Sequence, residues 1–154
     1  MLGWQMAHAQ TPAPKAKEPP PAVLICGTGI SPHYENIVNE LLDSLKEQAV
    51  SAKIGEGHDL SRSTSVEKAK EVGAGSVLYV SVYVNERLAY ETRMSVQCIN
   101  ADGTKLWEED QKGPLMSGSV SSTVNKITEK MKKKLKAHVG KPGLPTSKPN
   151  TKAS

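Results

Sequence analysis

A chain of 154 residues fits a single domain, and a hydrophobic fraction of 37% with no Phe allows only a modest core. Five of the 20 Lys and Arg (Lys15, Lys17, Lys141, Lys148, Lys152) and one of the 16 acidic residues (Glu18) lie in Pro-rich flanks, so residues 22–139 hold 15 of each sign and the net charge of +4 belongs to the tails. A neutral domain lacks the basic footprint of a nucleic-acid binder, and no apolar run of about 20 residues marks a transmembrane helix.

The two ends read as unstructured. Ala7-His8-Ala9 stands before a Pro/Ala/Lys stretch and has the A-x-A form of a signal-peptidase site. The charged n-region is missing and the apolar part is short, so residues 1–9 read as a truncated signal peptide. Residues 10–21 form a stiff Pro-rich linker, residues 22–139 the folded domain, and residues 140–154 a disordered tail. Cys26 is not a lipidation site, because Ile25 stands where a small residue is needed. The expected location is periplasmic or secreted.

Ala22–Cys26 is a continuous apolar run and reads as a strand buried on both faces. Gly27-Thr-Gly-Ile-Ser31 turns the chain, with Ser31 as N-cap and Pro32 as first helical residue. Ile37, Val38, Leu41, Leu42, Leu45 and Ala49 then recur at helical spacing. Ser51–Ile54 is a weak strand, and Gly55–Arg62 a loop. Thr64-Ser-Val-Glu67 has the form of a capping box, opening a short helix that Gly73 closes.

Ser76–Gln111 carries the clearest pattern. Leu78, Val80, Val82 and Val84 share one strand face, with Val77, Tyr79, Ser81 and Tyr83 on the other. In the next strand, from Ala89 to Asn100, Tyr90, Met94, Val96 and Cys98 alternate with Glu91, Arg93, Ser95 and Gln97. Asp102-Gly103 is a hairpin turn, and Thr104–Gln111 a third strand whose Glu108-Glu-Asp110 run discourages edge pairing. A last helix steps through Val120, Val124, Ile127, Met131, Leu135 and Val139. The order β-α-(β)-α-β-β-β-α predicts an α/β two-layer sandwich, its mixed sheet ending in a three-stranded antiparallel meander.

Candidate sites are few. Cys26 and His33 are the minimum for thiol chemistry, and the loop Gly27, Thr28, Gly29 and Ser31 at a helix start is a candidate anion cradle. The third Gly of a dinucleotide fingerprint is absent, with Pro32 in its place. Cys26 and Cys98 both fall on core faces and read as free thiols rather than a disulfide. Lys126, Lys130, Lys133 and Lys134 lie on the exposed back of the last helix, a basic face able to meet a membrane surface. No His/Cys/Asp spacing forms a metal site, and no motif calls for a cofactor.

The run from Gly73-Ala-Gly75 through Val77-Leu-Tyr-Val-Ser-Val82 to Cys98-Ile-Asn-Ala-Asp-Gly-Thr-Lys-Leu-Trp107 resembles bacterial envelope domains, the amino-terminal domain of the TolB protein and the curli-export lipoprotein group. That resemblance covers roughly residues 32–139 and brings no catalytic residues. It implies an exported, non-catalytic module with an envelope protein partner. Leu24-Ile-Cys-Gly-Thr-Gly-Ile30 is similar over about ten residues to the cysteine-phosphorylated B subunits of the bacterial sugar phosphotransferase system. This second resemblance implies a phosphocarrier using Cys26, or more broadly a thiol-based enzyme.

Overall fold

The computed structural model describes residues 19–57, 59–113 and 119–146. The leader, most of the linker, His58, the Tyr90 side chain, residues 114–118 and residues 147–154 lie outside the described residues. Within them, β1 (Val23–Thr28), β2 (Ala52–Ile54), β3 (Ser76–Tyr83), β4 (Arg93–Asn100) and β5 (Lys105–Lys112) form one sheet in the order β2-β1-β3-β4-β5. The helices are α1 (His33–Glu47), α2 (Arg62–Val72) and α3 (Val120–Lys136). β1 pairs in parallel with β2 and β3, and β3-β4-β5 is the antiparallel meander expected from the sequence.

Alternation along β3 decides the layering. Leu78, Val80 and Val82 enter the larger core with Val23, Ile25, Met94, Val96 and the apolar stripes of α1 and α3. Val77 and Tyr79 point the other way, into a smaller cluster with Leu24, Cys26, Ala69 and Ile99 beneath α2. The β1-to-β2 and β2-to-β3 connections cross the sheet in opposite directions, so right-handed crossovers place α1 and α2 on opposite faces. The two-layer expectation therefore holds over β5 and most of β4, while α2 adds a third layer over β1, β3 and the Ile99 end of β4.

Helix starts differ in detail from the sequence reading. Ser31 does not cap α1. Its hydroxyl donates to Glu35 Oε2 at 2.7 Å, the N-cap position is Pro32, and no side chain caps the helix. α2 starts before the Thr64 box: Ser61 is its N-cap and accepts from the Thr64 N–H at 3.1 Å. Thr64 is thus the donor in the cap rather than the capping residue. Gly73 ends α2 in a left-handed conformation, φ 80°, as its position implies. Residues 89–91 form a 3-10 turn, and β4 begins only at Arg93.

Ordered structure also continues past Val139, where composition alone predicts a disordered tail. Leu144 has no exposed surface, Ser76 Oγ donates to the Gly143 carbonyl at 2.7 Å, and Thr146 bridges Val50. Gly143 sits at φ 97°, and a Cβ there would collide with Cys98 Sγ, so only Gly fits. Residues 140–146 thus close the larger core, and one deeply placed Leu outweighs their polar composition. Leu144→Ala is expected to cost about 2–5 kcal/mol in urea unfolding. Val82→Asp places a charge in the core and abolishes cooperative melting, whereas Arg93→Ala, on an exposed position of β4, leaves stability within about 1 kcal/mol.

Candidate functional site

The Cys-Gly-Thr-Gly loop lies at the carboxyl end of β1, where parallel strands commonly present ligand sites. Its residues are engaged by the fold itself. Cys26 has no exposed surface, and a Cβ on Gly55 would press on its sulfur at 2.8 Å. Burial pushes the Cys26 thiol above its ordinary range, and the Ser65 hydroxyl and Lys68 charge oppose this without offsetting it. Gly27 lies so close to β3 that a Cβ would collide with the Val80 carbonyl, which explains this glycine without a phosphate. Its own carbonyl accepts from the Leu60 N–H at 2.9 Å.

The rest of the loop is equally committed. Thr28 Oγ1 donates to Asp59 Oδ1 at 2.7 Å, placing a carboxylate where an anion would have to enter. Gly29 packs over Tyr34, and Ser31 is held by Glu35. His33 Nε2 lies 3.4 Å from Glu86 Oε2 rather than being paired with the thiol. A buried, protonated thiol is not a nucleophile, and a cradle lined by Asp59 repels a phosphoryl group.

Of the basic-face residues, Lys126, Lys130 and Lys133 are exposed. Lys134 turns instead toward the sheet, where Nζ donates to the Asp110 carbonyl of edge strand β5. Neighbouring Lys132 bridges Glu40 at 2.9 Å and Glu129 at 2.8 Å, tying α3 to α1. His138 stacks on Trp107 with centroids 3.7 Å apart and meets Glu109 Oε2 at 2.7 Å. Part of the basic stripe is therefore structural.

A surface that sequence reasoning left unassigned is the far side of β3-β4-β5. α2 reaches only part of it. Register aligns three rows there: Tyr83–Arg93–Lys112, Ser81–Ser95–Asp110 and Tyr79–Gln97–Glu108. Tyr83 is 46% exposed, and the Arg93 guanidinium stands 5.0 Å from its ring centroid, a cation–π pair. Glu108 ties the last two of these rows together. It accepts from Lys105 at 2.8 Å, Ser95 at 3.2 Å and Gln97 at 3.4 Å, and Arg62 of α2 donates to Gln97 at 2.9 Å. The Lys105 bond, with Ser95 and Gln97, holds the Glu108 carboxyl below its usual range. Two hollows flank this cluster, one of about 450 Å³ beside α2 and one of about 410 Å³ beside Tyr83 and Arg93. The alternation Arg93, Ser95, Gln97 marked this face as wet, but only register shows that it forms a continuous platform.

Comparison with known proteins adds an outline. No protein-family model and no curated protein matches the chain. Among solved structures it is similar to a single-substitution variant of the PelC dodecamer from Paraburkholderia phytofirmans, at 17% identity over 78% of this chain and 90% of that one, TM-score 0.49. It is also similar to the LpoB C-terminal domain from Escherichia coli, at 17% identity over 74% and 94%, TM-score 0.45. A prolyl-tRNA synthetase from Cryptosporidium parvum aligns at 18% identity over 77% of this chain and 23% of its own, TM-score 0.40. The likeness is one of outline. No residue's role passes across it. Among the described residues no helix is long and apolar enough to cross a membrane, and no cluster of three metal-ligating side chains occurs.

Both thiols are harder to ionise in the folded chain, and burial pushes Cys98 up to about 11. Their contribution to stability is therefore intact below the ordinary thiol range and declines as pH rises above about 9. With Ellman's reagent at pH 8 the folded protein is expected to show no rapid release, and both thiols should react once guanidinium is added. Rapid labelling of Cys26 in the folded chain would restore the thiol-chemistry reading.

Proposed function

We propose that this chain is an exported, non-catalytic module of the bacterial envelope that binds a protein partner through the uncovered face of β3-β4-β5. The observation that carries this reading is the face itself. At the end that, among the described residues, no helix reaches, this face presents an exposed Tyr83–Arg93 pair, and both residue types are enriched at the energetic centres of interfaces. Around it, Ser95, Gln97 and Glu108 are held in place by mutual hydrogen bonds, so a partner meets groups whose orientation is already set.

The A-x-A segment and the Pro-rich linker support export, since they give the form of a leader followed by a spacer. The committed contacts of Cys26 and the Gly-Thr-Gly loop weigh against the phosphocarrier alternative.

Two measurements test the proposal in cells that make the protein from its own chromosomal gene, extended by a carboxyl-terminal tag. Fractionation is expected to recover the protein outside the cytoplasm. A photo-crosslinking amino acid at Tyr83 is expected to give one discrete adduct, lost on Arg93→Glu, whereas the same probe at Asp43, on the exposed side of α1, gives none. Cytoplasmic residence, or equal adducts from both positions, would overturn it.

A further inference from the structure

The hollow beside α2 differs from the rest of the platform in its charge and its floor. Val66 of α2 and Ile99 of β4 form an apolar base, with Ile99 only 4% exposed. Arg62 and Lys70 line it from the first and last turns of α2, and Lys105 from the start of β5 lines it from the sheet. Glu67 is the one carboxylate in the lining, so the groove carries a local excess of positive charge inside a domain that is neutral overall.

These cations are not equally free. Lys105 is already bonded to Glu108 at 2.8 Å. Arg62 gives one guanidinium nitrogen to the neutral Gln97 amide, and among the described residues no carboxylate lies within ion-pair distance of Arg62 or Lys70. The exposed Asp102 carboxylate feels Lys70 only as a weak, more distant influence. Arg62 and Lys70 are eight positions apart on α2, which separates them by about 12 Å along the helix. An extended chain covers that span in about four residues at about 3.3 Å each.

We infer that this groove takes an extended acidic segment of a protein partner. In it, two carboxylates about four residues apart meet Arg62 and Lys70, and an apolar side chain between them rests on Val66 and Ile99. Arg62 is suited to its end because a guanidinium holds a carboxylate through two parallel N–H bonds. Lys70 supplies a point charge at the other end. The apolar floor supplies the area that surface charge pairs alone lack, since an exposed pair contributes only about 0–1 kcal/mol. This inference rests on the interaction-module reading and names the partner's chemistry at one part of the same platform.

The probe is a fluorescein-labelled peptide, Gly-Asp-Ser-Leu-Ser-Asp-Gly, titrated with the full chain at low salt and followed by fluorescence anisotropy. Saturable binding is expected, weakened about ten-fold or more by Arg62→Glu with Lys70→Glu and by about five-fold or more when the peptide's Leu is replaced by Gly. Lys126→Glu with Lys130→Glu makes the same change in net charge on exposed α3 positions and is expected to leave affinity unchanged. Arg62 and Lys70 are exposed, and matching thermal melts of both double variants establish that each folds. The inference is overturned by absence of saturable binding up to about 1 mM, by equal loss in the two double variants, or by a Gly-substituted peptide binding as tightly as its parent. The last result would make the groove a bare anion site. A negative peptide result beside a specific Tyr83 adduct removes the acidic-segment chemistry and leaves the interaction-module reading standing, whereas cytoplasmic residence removes that reading whatever the peptide does.

Discussion

β3 lies at the centre of the sheet, between β1 and β4. Among the described strands it is the one with a parallel neighbour on one side and an antiparallel neighbour on the other, and residues 76–80 are buried on both faces. Burial on both faces leaves Val77, Leu78, Tyr79 and Val80 no polar alternation, so the strand is a continuous apolar run. Each fully buried Val or Leu contributes about 1.5–3 kcal/mol. Its two faces recruit different helices, α1 and α3 on one and α2 on the other. Tyr79 fixes the second arrangement further by donating its hydroxyl to the Leu60 carbonyl at 2.6 Å, just before α2 begins.

The close approach of β1 to β3 gives the Cys-Gly-Thr-Gly loop its sequence. Gly27 pairs with Val80 in the parallel register, and the Val80 carbonyl leaves no space for a side chain. Cys26 is a small residue beneath Gly55, packed beside Ala69 and Leu24. Thus the same residues that resemble a phosphate-binding turn are accounted for by strand packing. A motif of small residues records a demand for space. Whether that space serves a ligand or a neighbouring backbone is decided only by what stands opposite, and here that is β3 and Asp59.

What could be read from the chain divides along this line. Period-two alternation in residues 76–83 and 93–100, the Asp102-Gly103 turn and the helical spacing of α1 and α3 carry their own evidence, because each depends on neighbours a few positions away. Ser31 and Ser61 show where that evidence stops. Both are good capping residues, yet only Ser61 caps, because Ser31's hydroxyl is taken by Glu35. Leu144 is the sharper case: one apolar residue among Pro, Lys and Gly gives no period at all, and its burial depends on Ser76 and Val50, which are remote in sequence. The candidate platform was half legible. Its polar alternation was visible, but the pairing of Arg93 with Tyr83 and of Gln97 with Arg62 required the register and the position of α2.

That the platform lies open follows from topology. A parallel connection must cross the sheet and carries a helix with it, whereas a hairpin turns back in a few residues and covers nothing. From β3 to β5 this chain uses hairpins, so after α2, among the described residues, no connecting element crosses the second face of β4 and β5. The returning helix α3 is drawn to the first face, where Met94, Val96 and the partly buried Trp107 need cover. The second face is left with Arg93, Ser95, Gln97, Glu108 and Asp110, residues that tolerate water, and Ser95 and Gln97 are bonded to Glu108. The change from crossover to hairpin therefore does two things at once. It lets a neutral domain of modest apolar content complete a single main core, and it leaves half a sheet as pre-ordered polar surface bordered by the one helix, α2, that supplies Arg62 and Lys70.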